Sequence, residues 1–260
     1  PKGPDCYKSA GKTLKTWIDD NVLVQDEKNG IYVYEMDFPI GNIRKSVKGF
    51  VSLVKLEDFS KEIILPHEET LSKAKTDRFN LMSETFSNFS QIYSLYMDEN
   101  EKVYPLVDDA SKNKPDMQVM DKDGVIHKMW IVNDTSTINS IVSLFNDKKL
   151  YIADGHHRYE TALNFHKYLC ENKISDENSL SGYVMMMLVN MENDGLEVFP
   201  THRIVRNLQD FNEEKIISNS KTLFDIKILS DRESAEQELK QLYNNNQHAF
   251  IMYSSDKKYT

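Results

Sequence analysis

The sequence has little cysteine and lacks a long apolar run. Its two cysteines, Cys6 and Cys170, lie far apart and form no CxxC pair. Such sparse cysteine predicts neither a disulfide framework nor a zinc site, and it indicates a reducing compartment, so we expect a cytoplasmic protein. Nowhere do about 18 apolar residues follow one another, which is the length that a membrane helix needs. We therefore expect no membrane partner.

An excess of positive charge is also missing. The 260 residues include 41 acidic and 32 basic side chains, which gives a formal net charge of −9. An acidic chain with no block of like charge is a poor candidate for nonspecific nucleic-acid binding, so we expect no nucleic-acid partner. The GxGxxG, GxxxxGK[ST], GxSxG and HExxH patterns are absent, which removes the common nucleotide, hydrolase and zinc-protease signatures.

The hydrophobic pattern mixes strands with helices, and several of the strands are joined by hairpin signals. Predicted helices cover residues 7–21, 77–89, 103–112, 134–146, 211–223 and 234–244. Predicted strands cover residues 31–36, 49–56, 91–97, 117–120, 125–132, 150–153, 182–191, 196–199, 225–229 and 249–253. This order favours an α/β protein with an α+β tendency, in which a mixed sheet with hairpins carries packed helices, over a doubly wound parallel fold.

The ends of the chain suggest a larger protein. The first residue is Pro1 rather than a methionine, and the last predicted strand stops close to the end of the chain. We expect an excised fragment with a core over residues 1–206, followed by the truncated start of a further α/β segment over residues 207–260.

The most informative segment begins Leu-Tyr-Ile-Ala-Asp-Gly-His-His-Arg at Leu150. A buried strand, a turn at Asp154-Gly155 and a helix carrying His156, His157 and Arg158 in its first turn are predicted. Cationic side chains at a helix N-terminus oppose the helix dipole unless an anion lies among them. The segment therefore predicts a local anion site.

Each side chain of this segment suits phosphate chemistry. Arg158 has the planar fork that grips two phosphate oxygens, and Gly155 lets the backbone approach a ligand. His156 and His157 can donate to an anion or relay a proton. Asp154 is a candidate metal ligand, base or histidine-orienting group. The alternative is a plain helix start, with Asp154 as N-cap and Arg158 in solvent.

Two further polar clusters are candidates for the same site. Leu-Pro-His-Glu-Glu-Thr, residues 65–70, places His67 and Glu68 in an irregular segment, where they are candidate acid/base or metal-ligand groups. Downstream, Thr201, His202 and Arg203 follow a predicted strand and would complete an anion site. The alternatives are a solvated polar loop for the first cluster, and a turn cap with a solvated arginine for the second.

Together these three motifs resemble a family of unknown function called DUF1015, over roughly residues 7–205, in the order that the family has them. Members of that family are longer, which agrees with an excised fragment. The Asp-Gly-His-His-Arg segment is also similar to the phosphate-gripping motif of the ParB/sulfiredoxin-like superfamily, which includes the free-serine kinases. This similarity implies a ParB/sulfiredoxin-like core around the turn and a serine-like or phosphoserine-like ligand.

The resulting functional hypothesis is an enzyme of small-molecule phosphate chemistry that acts on a phosphorylated amino acid or a nucleotide. Its direction, kinase or phosphatase, is left open, and so is its oligomeric state. Phosphate-binding groups would come from Gly155, His156, His157, Arg158, Thr201, His202 and Arg203, and catalytic groups from Asp154, His157, Glu68 and His67. The expected cofactors are Mg²⁺ at Asp154 and ATP or ADP. The rival hypothesis is a noncatalytic sensor of a phosphorylated or nucleotide ligand.

Overall fold

The computed structural model describes residues 3, 5–69, 72–198, 202–254 and 259, and it leaves out the side chains of residues 72–74. Two compact units, residues 1–198 and 199–260, divide the chain. The division predicted after residue 206 separates the core that resembles the family from a further α/β segment, and it stays a prediction.

The first unit is a mixed sheet with helices, as the pattern predicted. Its described helices are α1 (Asp5–Asp19), α2 (Ser72–Thr85), α3 (Val103–Ala110), α4 (Thr135–Leu144) and α5 (His156–Glu171). Its described strands are β1 (Ile31–Ile40), β2 (Ile43–Lys55), β3 (Ile64–Leu65), β4 (Ile92–Tyr96), β5 (Met117–Met120), β6 (Ile126–Val132), β7 (Leu150–Asp154) and β8 (Tyr183–Asn190). No described helix combines the length and the apolar character that crossing a bilayer requires.

The sheet is ordered β3-β7-β4-β8-β2-β1-β6-β5. The hairpins β1–β2 and β5–β6 are antiparallel, and the turn signal at residues 121–124 predicted the second of them. Two strand pairs are parallel, β3 with β7 and β4 with β8, while β4 runs antiparallel to β7. This mixture of directions confirms the predicted mixed sheet.

The larger of two hydrophobic clusters in the described chain joins buried residues of the strands to buried residues of α3, α4 and α5. Val33, Ile92 and Met186 are fully buried strand residues in this cluster. They pack together with Val107 of α3 and Tyr159 of α5. Tyr159 also fixes α5 to the chain after β2, because its hydroxyl donates to the carbonyl oxygen of Glu57 (2.7 Å) and accepts from the Glu57 N–H (2.9 Å). The start of α5 is therefore held in place by the core.

The N-terminal end of α3 depends on a buried carboxylate. Asp98 is 1% exposed, accepts from the backbone N–H groups of Val103 (2.8 Å) and Tyr104 (3.3 Å), and pairs with Lys148 (3.2 Å). Burial by itself would raise the pKa of Asp98, but these hydrogen bonds and the lysine charge together lower it.

Three predicted strands are wrong within the described residues. Residues 196–198 form no strand, because both edges of β8 are already paired, one with β4 and one with β2, so a hairpin partner finds no free edge. The predicted strands over 225–229 and 249–253 are reduced to isolated bridges of Leu229 and Tyr253 with Tyr259. An isolated pair of short strands is marginal without neighbours to extend it.

The second unit contains two described helices, α6 (Glu213–Ser220) and α7 (Arg232–Asn244), close to the predicted ranges. Both helices begin at a side-chain cap: Asn212 accepts from the Lys215 N–H, and Asp231 accepts from the Ser234 N–H, each at 2.8 Å. Apolar side chains of these helices and of residues 247–252 line a half-open cavity of about 620 Å³.

Candidate functional site

Strand direction brings three separate segments to one edge of the sheet. Because β3 and β7 are parallel, the loop after Leu65 and the turn after Asp154 leave the sheet on the same side. Since β4 is antiparallel to β7, the residues that precede it, Ser90 and Gln91, arrive at that side as well. Of the three predicted motifs, two therefore meet here, and a third contribution comes from residues that the sequence did not single out.

A bulge and a glycine shape the turn between β7 and α5. Tyr93 pairs with Asp154 but Ser94 pairs with Ile152, so Ala153 has no partner residue on β4. Gly155 follows with φ 104° and ψ 25°, a conformation that side-chain-bearing residues rarely adopt. It is the N-cap of α5 and supplies no side-chain cap to the helix. The first-turn N–H groups, which have no acceptor within the helix, thus face the edge where the three segments meet.

His156 is the buried centre of the site. Its side chain is 1% exposed, and its Nε2 accepts from the backbone N–H of His67 at 3.2 Å. The ring proton must then lie on Nδ1. That Nδ1 lies 3.1 Å from Oε1 of Glu68, but the angles are not those of a hydrogen bond, so among the described residues it has no hydrogen-bond partner. An unpartnered buried donor is costly, and it indicates a place for an acceptor from a ligand.

The environment of His156 favours the neutral imidazole. Burial lowers its pKa, as does the nearby ring of His67, and the carboxylates of Glu68, Asp154 and Glu160 only partly oppose this. His156 therefore offers a donor rather than a positive charge at neutral pH. The sequence had predicted that it would add charge, and the lowered pKa argues against that part of its role.

His67 and Glu68 form the opposite wall of the site. The His67 ring meets the His156 ring edge-on, with ring centroids 4.4 Å apart, and its Nε2 donates to the carbonyl oxygen of Ala153 at 3.3 Å. The bulge in β7 thus supplies the acceptor that orients His67. Glu68 is 53% exposed, so its carboxylate faces both His156 and the solvent.

Arg158 is anchored by the protein itself. Its Nη1 donates to the Ser90 hydroxyl at 2.9 Å and to the Gln91 carbonyl oxygen, and its Nη2 donates to the Asp154 carboxylate. A Cβ on Gly155 would lie only 2.9–3.1 Å from the guanidinium atoms, so Arg158 lies against the backbone of the turn. The predicted plain helix start, with Arg158 in solvent, is wrong, since the side chain is 21% exposed and joins the end of β7 to the residues before β4.

Of the remaining predicted residues, one lies at the start of α5, one is outside the described residues and two are in the second unit. His157 is partly buried in the first turn of α5, and its carbonyl oxygen accepts from the hydroxyl of Thr161 at 2.6 Å. Thr201 lies outside the described residues. His202 and Arg203 are exposed in an irregular segment of the second unit, and their part in the site stays a prediction.

The described residues contain no group of three or more His, Cys, Asp or Glu side chains arranged to hold a metal ion. Asp154 is 77% exposed and pairs with Arg158, and Glu68 is a second exposed carboxylate at this edge. One or two carboxylates are enough for Mg²⁺ when phosphate oxygens complete its shell. The donor set therefore fits a metal that arrives with a phosphorylated ligand and does not fit a metal held by protein alone.

Comparisons with known proteins agree with the resemblance found in the sequence. The model of a family described as "Protein of unknown function (DUF1015)" matches residues 1–260. No curated protein and no solved structure matches the chain. The predicted ParB/sulfiredoxin-like core is therefore still a prediction.

Proposed function

The chain belongs to the DUF1015 family, and from the chemistry of its site we propose that it is an enzyme of small-molecule phosphate chemistry, acting on a phosphorylated amino acid or a nucleotide. The observation that carries the proposal is the buried Nδ1–H of His156, which has no hydrogen-bond partner among the described residues and lies in the first turn of α5, after an N-cap glycine that supplies no side-chain cap. A helix N-terminus with an additional buried donor is a favourable place for a phosphate.

The arrangement supports a division of roles. The N–H groups of the first turn of α5, the Nδ1–H of His156 and the remaining donors of Arg158 would bind the phosphoryl group. Glu68 would be the base, since its carboxylate is 53% exposed and lies at the open side of the site, 3.1 Å from Nδ1 of His156. His157 and His67 would supply or accept a proton at the other oxygen. Asp154 would serve as a second carboxylate.

The chemical step has the same form in either direction. An oxygen nucleophile attacks phosphorus, its proton passes to the Glu68 carboxylate, and the bond from phosphorus to the leaving oxygen breaks. In the kinase direction the nucleophile is a substrate hydroxyl, ATP is the phosphoryl donor, and ADP leaves. In the phosphatase direction the nucleophile is water, the substrate is a phosphorylated amino acid, and its alcohol leaves with a proton from an imidazole. Asp154 would be the carboxylate that holds Mg²⁺, and the ion would supply neutralisation of the phosphate charge.

The test is an activity screen of the whole protein. Phosphate release from phosphoserine, and phosphate transfer from ATP, ADP or pyrophosphate to serine, are measured with and without Mg²⁺. Glu68→Gln should lower turnover by about 10²–10⁴-fold, as expected for loss of a general base. The matched control is Glu69→Gln, which removes the neighbouring exposed carboxylate. Equal losses in both variants would refute the role of Glu68.

A sensor that binds a phosphorylated ligand without turning it over is the second candidate. The observation in its favour is that Arg158 and Asp154 already satisfy each other, which leaves a binding surface with few free catalytic groups. A ligand that raises the melting temperature, combined with no turnover of any compound in the screen, would favour the sensor.

A further inference from the structure

We propose that Asp154 is a built-in competitor for the anion site: it occupies Nη2 of Arg158 in the free protein and gives up that position to a phosphoryl group. This inference rests on the proposed function, because it assumes that the start of α5 binds an anion. It adds a way in which the site changes between its free and bound states.

The guanidinium of Arg158 has two kinds of partner. Its Nη1 is held by neutral acceptors at the start of β4, the Ser90 hydroxyl at 2.9 Å and the Gln91 carbonyl oxygen. Its Nη2 is held by the charged carboxylate of Asp154. Since the neutral anchors are independent of Asp154, the guanidinium would stay in place when the carboxylate leaves.

Exposure shows which partner can be exchanged. The side chain of Asp154 is 77% exposed, whereas that of Arg158 is 21% exposed. An exposed carboxylate loses little on returning to water, and exposed ion pairs are weak. A phosphate, with more charge and more acceptor oxygens, is the stronger partner for an arginine fork.

The contested position lies within the site. The guanidinium rests against Gly155, the N-cap of α5, so an anion that pairs with Nη2 also lies at the helix start. A second, independent observation places a ligand acceptor at this edge, since the buried Nδ1 of His156 has no hydrogen-bond partner among the described residues. Release of Asp154 therefore coincides with occupation of the site.

The exchange couples binding to the groups that act next. While Asp154 pairs with Arg158, the positive guanidinium offsets the negative charge of its carboxylate. The carboxylate is then a poor ligand for a cation. When a phosphoryl group takes over Nη2, the Asp154 carboxylate becomes free beside the bound phosphate. It can then contribute to a cation that the phosphate carries.

The test measures the affinity of the whole protein for inorganic phosphate by titration calorimetry. Asp154→Ala should bind phosphate about two- to fivefold more tightly than the unchanged protein, because a competitor of the strength of an exposed ion pair has been removed. The control is Asp109→Ala, which removes the acidic partner of the exposed Asp109–Lys112 pair on α3 and changes the net charge equally. It should leave phosphate affinity unchanged.

The outcomes separate this inference from the proposed function. If the unchanged protein binds phosphate but Asp154→Ala binds equally or more weakly, the competitor role is overturned and the anion site stands. Equal tightening in both variants would show a general charge effect and also overturn it. If neither the unchanged protein nor Asp154→Ala binds phosphate, the anion site itself fails. Asp154→Asn, which keeps the shape of the side chain, serves if the alanine variant does not fold.

Discussion

Replacing Gly155 by alanine should destabilise the first unit and loosen the anion site together. The residue has φ 104°, outside the range that side chains accept easily, so the backbone alone should cost about 1–3 kcal/mol. The added Cβ would also lie 2.9 Å from Nε and 3.0 Å from Nη2 of Arg158. Displacing the guanidinium from its acceptors should cost about 1 kcal/mol more.

Gly124→Ala is the matched control within the same unit. Gly124 also has a positive φ, 76°, but a Cβ there would have no neighbour within 4 Å. Its substitution should therefore cost only the backbone strain, about 1–2 kcal/mol. The difference between the two variants, about 1–2 kcal/mol, measures what the contact with Arg158 and the wider φ of Gly155 contribute.

Tryptophan fluorescence during urea unfolding is the assay. Both tryptophans, Trp17 and Trp130, lie in the first unit, and Trp130 is 6% exposed, so its emission reports unfolding of this unit alone. In an Arg158→Ala background the cost of Gly155→Ala should fall by about 1 kcal/mol, because the clash has been removed. Equal costs for Gly155→Ala and Gly124→Ala, with no coupling to Arg158, would refute the reasoning.

Three further predictions concern charge and anchoring. Because burial lowers the pKa of His156, its contribution to the free energy of unfolding should be constant above about pH 6.5 and fall as pH drops from there through the lowered pKa of the folded state; His156→Phe should remove this part of the fall in urea titrations at several pH values, and an unchanged slope would contradict the assignment. Asp98→Asn should cost about 2 kcal/mol in the same assay, since two backbone N–H groups and a lysine lose a charged acceptor, and a cost below about 0.5 kcal/mol would be inconsistent with its burial. Arg158→Lys should cost about 1–2 kcal/mol, because an ammonium cannot reach the Ser90, Gln91 and Asp154 acceptors at once, whereas an exposed substitution such as Lys55→Arg should be nearly neutral; similar values for the two would show that the fork geometry is unimportant.

The sequence was sufficient for most of the fold because its elements are strongly patterned. The β5–β6 hairpin, the strand-turn-helix at Gly155 and the helices of the second unit follow from local periodicity and turn residues. The strand predicted over 196–199 failed in its described part, residues 196–198, for a nonlocal reason, since both edges of β8 are paired with other strands. The two-residue strand β3 was not predicted, because so short an element has no period.

The site was predictable in its residue types but not in its contacts. His67 and Glu68 were selected as acid/base candidates, and the parallel pairing of β3 with β7 brings them to His156. Ser90 and Gln91 gave no signal, because their contribution is one hydroxyl and one backbone carbonyl oxygen. The pairing of Arg158 with Asp154 was not predicted, because Asp154 ends β7 and lies one turn before Arg158, outside the helix that carries it.

The loop that carries His67 and Glu68 is tied to the sheet by the shortest strand of the described chain. β3 contributes two residue pairs at the sheet edge, and only Ile64, 1% exposed, anchors it in the core. Elements with so few ladder bonds open at a lower free energy than the rest of a domain. The amide protons of Ile64, Leu65, His67 and Glu68 should therefore exchange with deuterium faster than those of β2, which would make this wall the part of the site that opens first to a ligand.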